Sequence, residues 1–112
     1  MSKDFAQIHA AVLNGMGALG RDLPDLMQGF GTVHKAAVAP GALSTKDKEL
    51  QSLAIAIAIR CEGCIACHVK DALAAGATRD EVIETIGVAI LMGGGPSVVY
   101  GAEAREALEQ FS

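Results

Sequence analysis

Apolar residues recur at helical spacing along almost the whole chain, in blocks separated by proline, glycine and cap-forming residues, and six helices follow from that pattern. The first is short and covers Asp4–Leu13. In "DLPDLMQGFGTVHKAAVAPG", Asp22 or Pro24 opens the second helix and Pro40-Gly41 closes it. Ser44, with Asp47 three residues on, nearly matches a capping box and starts a third helix running to about Arg60. Its "LAIAIAI" alternates as a strand would. The three alanines nevertheless favour helix and no turn signal precedes the run, so it reads as buried helix, with Ala54 and Ala58 letting a neighbour come close. A fourth helix over about Glu62–Ala75 is stopped by Gly76, and Thr78 with Glu81 caps a fifth. That helix repeats apolar residues at Val82, Ile83, Ile86, Val88, Ala89 and Ile90, and "GGGP" separates it from a sixth over about Ser97–Gln110. Gly93–Gly95 before a helix start resemble an anion cradle, but no Lys or Ser/Thr follows at P-loop spacing, so they read as a tight turn. The expected architecture is all-α in one domain spanning residues 1–112, without the βαβ pattern of a thioredoxin fold.

Composition adds a partner to this picture. Hydrophobic residues make up 51% of the 112 positions, charged residues only 20%, and 13 further positions are glycine. A domain this small has too much surface to hide such an excess inside itself, so a homo-oligomer is expected. The net charge of −4, the lack of a basic cluster and the presence of only Phe5, Phe30, Tyr100 and Phe111 as aromatics leave nucleic acid without obvious contacts. No apolar run approaches the roughly 18 residues of a membrane span, and the start "MSKDFAQIHAAV" lacks the charge-then-apolar order of a secretory signal. We therefore expect a cytoplasmic protein with neither membrane nor nucleic acid as partner. In that compartment three cysteines point to catalytic or metal-binding use rather than to a disulfide framework.

All three cysteines and one of three histidines fall in "RCEGCIACHVK". Cys61-x-x-Cys64 reads as a redox dithiol, Cys64-x-x-Cys67-His68 as a haem attachment site, and the three thiols together as the start of a metal or iron–sulfur site. At about 100° per helical residue, Cys61 and His68 lie about 60° and 40° to one side of Cys64, and Cys67 about 60° to the other. This groups Cys61, Cys64 and His68 on one face, with His68 one turn beyond Cys64 as a base beside a nucleophile. A helix start also favours thiolate at Cys61 and Cys64, whereas Cys67 reads as a small buried hydrophobe. Haem attachment needs export and a second axial ligand. A metal site needs a fourth ligand from His9, His34 or carboxylates, and those histidines read as surface or satisfied core residues. No cofactor and no metal are expected.

Glu49 lies in an otherwise apolar helix, where a carboxylate is costly without a partner such as His68. The pattern Glu49-x11-Cys61-x2-Cys64-x3-His68, with "AGATRDEVIETIGVAILMGGGPSVVYG", resembles the carboxymuconolactone decarboxylase and alkyl hydroperoxidase D-like family over roughly Leu43–Tyr100. The resemblance implies an all-helical fold and a trimer or hexamer. It also implies a thiol peroxidase in which Cys64 attacks a hydroperoxide, Cys61 resolves the sulfenic acid as a disulfide, and Glu49 and His68 relay protons. The reductant would be a dithiol such as a lipoylated or thioredoxin-like protein. Better-characterised peroxidases of the family carry a further histidine immediately before the second cysteine, where this chain has Gly63. Lactone decarboxylation, whose enzymes generally lack the CxxC, and a non-enzymatic redox sensor are the alternatives.

Overall fold

The computed structural model describes residues 2–112, which form six helices and, among the described residues, no strand. They are α1 Phe5–Asp22, α2 Pro24–Val38, α3 Thr45–Ala58, α4 Glu62–Ala74, α5 Arg79–Gly93 and α6 Gly95–Phe111. Local chemistry sets most of the boundaries. Pro24 occupies the first turn of α2, Ser44 accepts from the Asp47 N–H at 3.1 Å, and Thr78 and Glu81 complete a reciprocal capping box. The alternating "LAIAIAI" is helical.

Two boundaries differ from expectation. α1 runs nine residues past Leu13, through Gly15, Gly17 and Gly20, because the apolar spacing continues through Met16 and Leu19 although each glycine costs about 1 kcal/mol against alanine. α6 begins at Gly95 rather than near Ser97. The turn before it is as tight as expected: Gly94 has φ +69° with ψ −149°, open only to glycine, and a Cβ on Gly93 would lie 1.9 Å from Ser97 Oγ.

The centre of the fold is α3, packed against α4, α5 and α6, with Leu53 and Ile57 facing Ile65, Val69, Val82 and Leu108 in a fully buried core. The α1–α2 hairpin lies over α4. Its first turn is tied down by Phe5, which is buried, and by Gln110, which accepts from the Phe5 N–H at 2.7 Å and donates to the Lys3 carbonyl at 2.6 Å. Lys3 bridges Glu62 on α4 and Glu103 on α6. By contrast α2 buries no residue of its own, and Leu26, Phe30 and Val33 are all more than half exposed. Among the described residues, no helix is long and apolar enough to cross a membrane.

Candidate functional site

The connection from α3 to α4 places the cysteines. α3 ends in a Schellman-like turn: the Arg60 N–H donates to the Ile57 carbonyl at 3.1 Å and the Cys61 N–H to the Ala56 carbonyl at 3.0 Å. The turn needs a left-handed residue, and Arg60 takes that role at φ +62°, where glycine is usual. The chain thereby turns back on itself, and Cys61 becomes the N-cap of α4 with extended backbone. The helical-wheel placement of Cys61 is thus corrected: it precedes the helix rather than lying on it. It still pairs with Cys64, to which its sulfur is joined as a disulfide. Cys61 Sγ also accepts the Cys64 N–H at 3.2 Å, one of the unpaired donors of the helix start.

One turn further, His68 Nδ1 lies 2.8 Å from Glu49 Oε2. Glu49 is only 3% exposed, so its carboxylate would be costly without this partner, and the two stand together as the spacing suggested. With Nδ1 donating to the carboxylate, Nε2 is the ring nitrogen left to exchange a proton with a sulfur or a substrate.

Cys64 and His68 line two cavities. The larger, about 420 Å³, lies between α4 and the α1–α2 hairpin and has largely apolar walls that include Met16, Met27 and Phe30. The smaller, about 230 Å³, opens beside Ile55 of α3 and Ile59 at its C-cap, both at least 60% exposed. Here a second correction arises. Cys67 is half-buried and lines the larger cavity instead of sitting in the core, because α1 and α2 stand off from α4 there. Burial, and then the charge of Asp71 one turn on, push its thiol above the ordinary range. At neutral pH, iodoacetamide is therefore expected to modify Cys67 more slowly than an exposed thiol, with the rate still climbing as pH passes the ordinary thiol value of 9.0, and Cys67→Ser should leave turnover nearly intact. Peptide mapping after timed alkylation checks the first point.

The larger cavity also holds residues that the sequence reading set aside or overlooked. His9 and His34 line it from α1 and α2, and Asp71 lines it from α4. Donor atoms of His34, Glu49 and Asp71 all lie within 4.8 Å of one another, the only group of that kind among the described residues. Asp71 stands seven residues from Cys64 and three from His68, a helical spacing that could have signalled its place in the cavity. At Gly63 the departure from the peroxidase pattern has a steric counterpart. A Cβ there would lie 2.9 Å from Val12 Cγ2, so α1 fills the space that a side chain would need.

The same helices recur in other proteins. A protein of Cupriavidus necator without an assigned activity is 40% identical over 104 residues, covering 93% of this chain and 92% of its own. The crystal structure of a carboxymuconolactone decarboxylase family protein from Legionella pneumophila superposes with a TM-score of 0.93 at 44% identity, covering 96% of both chains. A family member from Thermotoga maritima, for which a part in the antioxidative response has been suggested, has a TM-score of 0.81 at 26% identity, over 93% of this chain and 88% of that one. Residues 24–107 match the carboxymuconolactone decarboxylase family model, which starts at α2 and includes the dithiol, His68 and Glu49. On the fold, the relatives and the match of the family model, this chain belongs to the carboxymuconolactone decarboxylase family.

Proposed function

We propose that the protein is a thiol peroxidase that reduces hydroperoxides with the Cys61/Cys64 dithiol. The observation that carries this reading is a disulfide at the start of α4, one turn from a histidine that is hydrogen-bonded to a buried carboxylate. In the reduced protein the Cys64 thiolate attacks the peroxide: the S–O bond forms, the O–O bond breaks, and the departing alkoxide takes a proton from His68. Cys61 then attacks the sulfur of the sulfenic acid, which releases water and closes the disulfide. A dithiol supplies the two electrons that reopen it. Its attack on Cys64 expels Cys61, whose sulfur already accepts the Cys64 N–H, and a stabilised thiolate leaves faster. The antioxidative role suggested for the Thermotoga maritima relative agrees with this chemistry.

Lactone decarboxylation would leave the dithiol idle, and a redox sensor would react once without turning over. Steady-state consumption of cumene hydroperoxide with dihydrolipoamide or reduced thioredoxin tests the proposal. Many turnovers per chain support it; a single equivalent consumed, or none, overturns it.

The enzyme would work in the cytoplasm as a trimer or hexamer, its reductant a lipoylated or thioredoxin-like dithiol protein. The open apolar faces support assembly. α2 buries nothing within the chain, and a second patch is formed by Val88, Leu91, Met92, Val98 and Val99 around the α5–α6 turn. Light scattering at micromolar concentration is expected to give three or six times the 11.5 kDa chain mass, and a monomer would contradict it.

A further inference from the structure

Glu49 is well placed to hand a proton to His68 but poorly placed to regain one, since almost none of its surface meets solvent. A buried acid that turns over once per catalytic cycle needs a source of protons. Its neighbours supply one. Asp71 on α4 and His34 on α2 bring donor atoms within 4.8 Å of Glu49 and of each other, and both line the larger cavity. Two hydrogen bonds of about 2.8 Å meeting at one water span nearly that distance. No Lys or Arg forms an ion pair with Glu49 or Asp71 among the described residues. Lys70, next to Asp71 in sequence, lies over the Phe111 ring at 5.4 Å.

We propose that Asp71 and His34 carry protons between the buried Glu49 and the larger cavity, through bridging water, as the outer half of the relay that begins at His68. This rests on the reading of Glu49 and His68 as a relay. One proton passes inward from the cavity by way of His34 and Asp71 to Glu49 and on to the His68 ring, replacing the one that His68 gives to the alkoxide, and no electron moves. The groups around Asp71 suit the task. Glu49 faces it from α3, His34 from α2, His9 from α1, and His68 and Cys67 from its own helix. Burial, and then the charge of Glu49, raise the proton affinity of Asp71, while the three histidines oppose that rise. Asp71 and His34 touch neither sulfur nor peroxide and are positioning residues for the proton.

The experiment compares Asp71→Asn, Asp71→Glu and His34→Gln with the unsubstituted protein in peroxide turnover across pH. Asp71→Asn is expected to slow turnover by roughly 10-fold in dilute buffer, less than the 10²–10⁴ of a group acting at the reacting atoms. Formate or imidazole small enough to enter the cavity should restore the rate, as should Asp71→Glu. The stability of the same variant moves the other way. Because folding raises the Asp71 pKa, its favourable contribution is complete below the ordinary value of 3.8 and is lost as pH rises. Asp71→Asn should therefore melt higher than the parent at pH 7, with the gain fading toward pH 3.8. A variant that is more stable yet slower, and rescued by small acids, is not the product of a merely structural role. An unchanged pH profile with no buffer rescue in both Asp71→Asn and His34→Gln overturns the proposal. If the parent turns over no peroxide, the peroxidase reading falls instead. The relay is then read from the pH dependence of disulfide reduction by dithiothreitol, which also needs a proton at Cys64, and Asp71→Asn leaving that unchanged overturns it.

Discussion

Replacing Cys64 by serine is expected to abolish peroxide consumption, whereas Cys61→Ser should react once and then stall as a sulfenic acid that a dimedone-type probe can trap. The asymmetry follows from where the two sulfurs stand. Cys61 caps α4 and its sulfur accepts a backbone N–H, a contact that would favour a thiolate there once the disulfide opens and so suits a leaving or resolving group. Cys64 lies inside the first turn, lines both cavities and shares its face with His68, so a peroxide entering from either side meets this sulfur beside a proton donor. Without Cys61 the sulfenic acid has no partner in the pair, and Cys67 is hindered by a thiol pushed up by burial. Mass spectrometry of each variant after one equivalent of peroxide separates the outcomes. Cys64→Ser should retain unmodified thiols and Cys61→Ser should gain the probe at Cys64. If instead Cys67→Ser removes activity and Cys61→Ser does not, the working pair is Cys64 with Cys67, and the disulfide between Cys61 and Cys64 is not the catalytic one.

The four residues of this scheme were legible in the sequence because their signals are local or nearly so. A CxxC at a helix start and a histidine one turn on need only helical geometry, and Glu49 stands out as the carboxylate of an apolar helix. Most helix boundaries were equally local, fixed by Ser44, Thr78, Pro24 and the glycine turns. What escaped depends on tertiary packing. The Arg60 turn that moves Cys61 off α4 uses a residue with no preference for the left-handed region, so its side chain gave no cue. α1 continues through three glycines because its apolar face has somewhere to go, a fact about its neighbours rather than about propensity. Cys67 faces a cavity only because α1 and α2 stand off from α4, and His34 reaches Glu49 only because the hairpin returns across that gap.

Removing the inner relay is expected to slow the reaction without removing the thiols. His68→Ala and Glu49→Gln should each lower the peroxide reaction by roughly 10²–10⁴-fold, the usual contribution of a positioned acid or base. In the proposed mechanism His68 is the proton donor to the departing alkoxide, and with Nδ1 committed to Glu49 its Nε2 is the nitrogen that would serve. Glutamine at position 49 is nearly isosteric and can still hydrogen-bond the ring, but it carries no charge to favour the imidazolium and cannot pass a proton to the ring. The two variants should therefore differ in kind. His68→Ala opens space between the two cavities, and added imidazole is expected to recover part of the rate by occupying it. Glu49→Gln keeps the ring in place, so imidazole has no room to enter and the defect should persist. Stopped-flow loss of thiols under single-turnover conditions measures the chemical step apart from reduction by the dithiol. Rates within about threefold of the parent in both variants would remove His68 and Glu49 from the mechanism, because even the lower end of general acid–base catalysis exceeds that difference. Slow rates in His68→Ala alone would leave the histidine as the acid and reduce Glu49 to a buried partner that holds the ring.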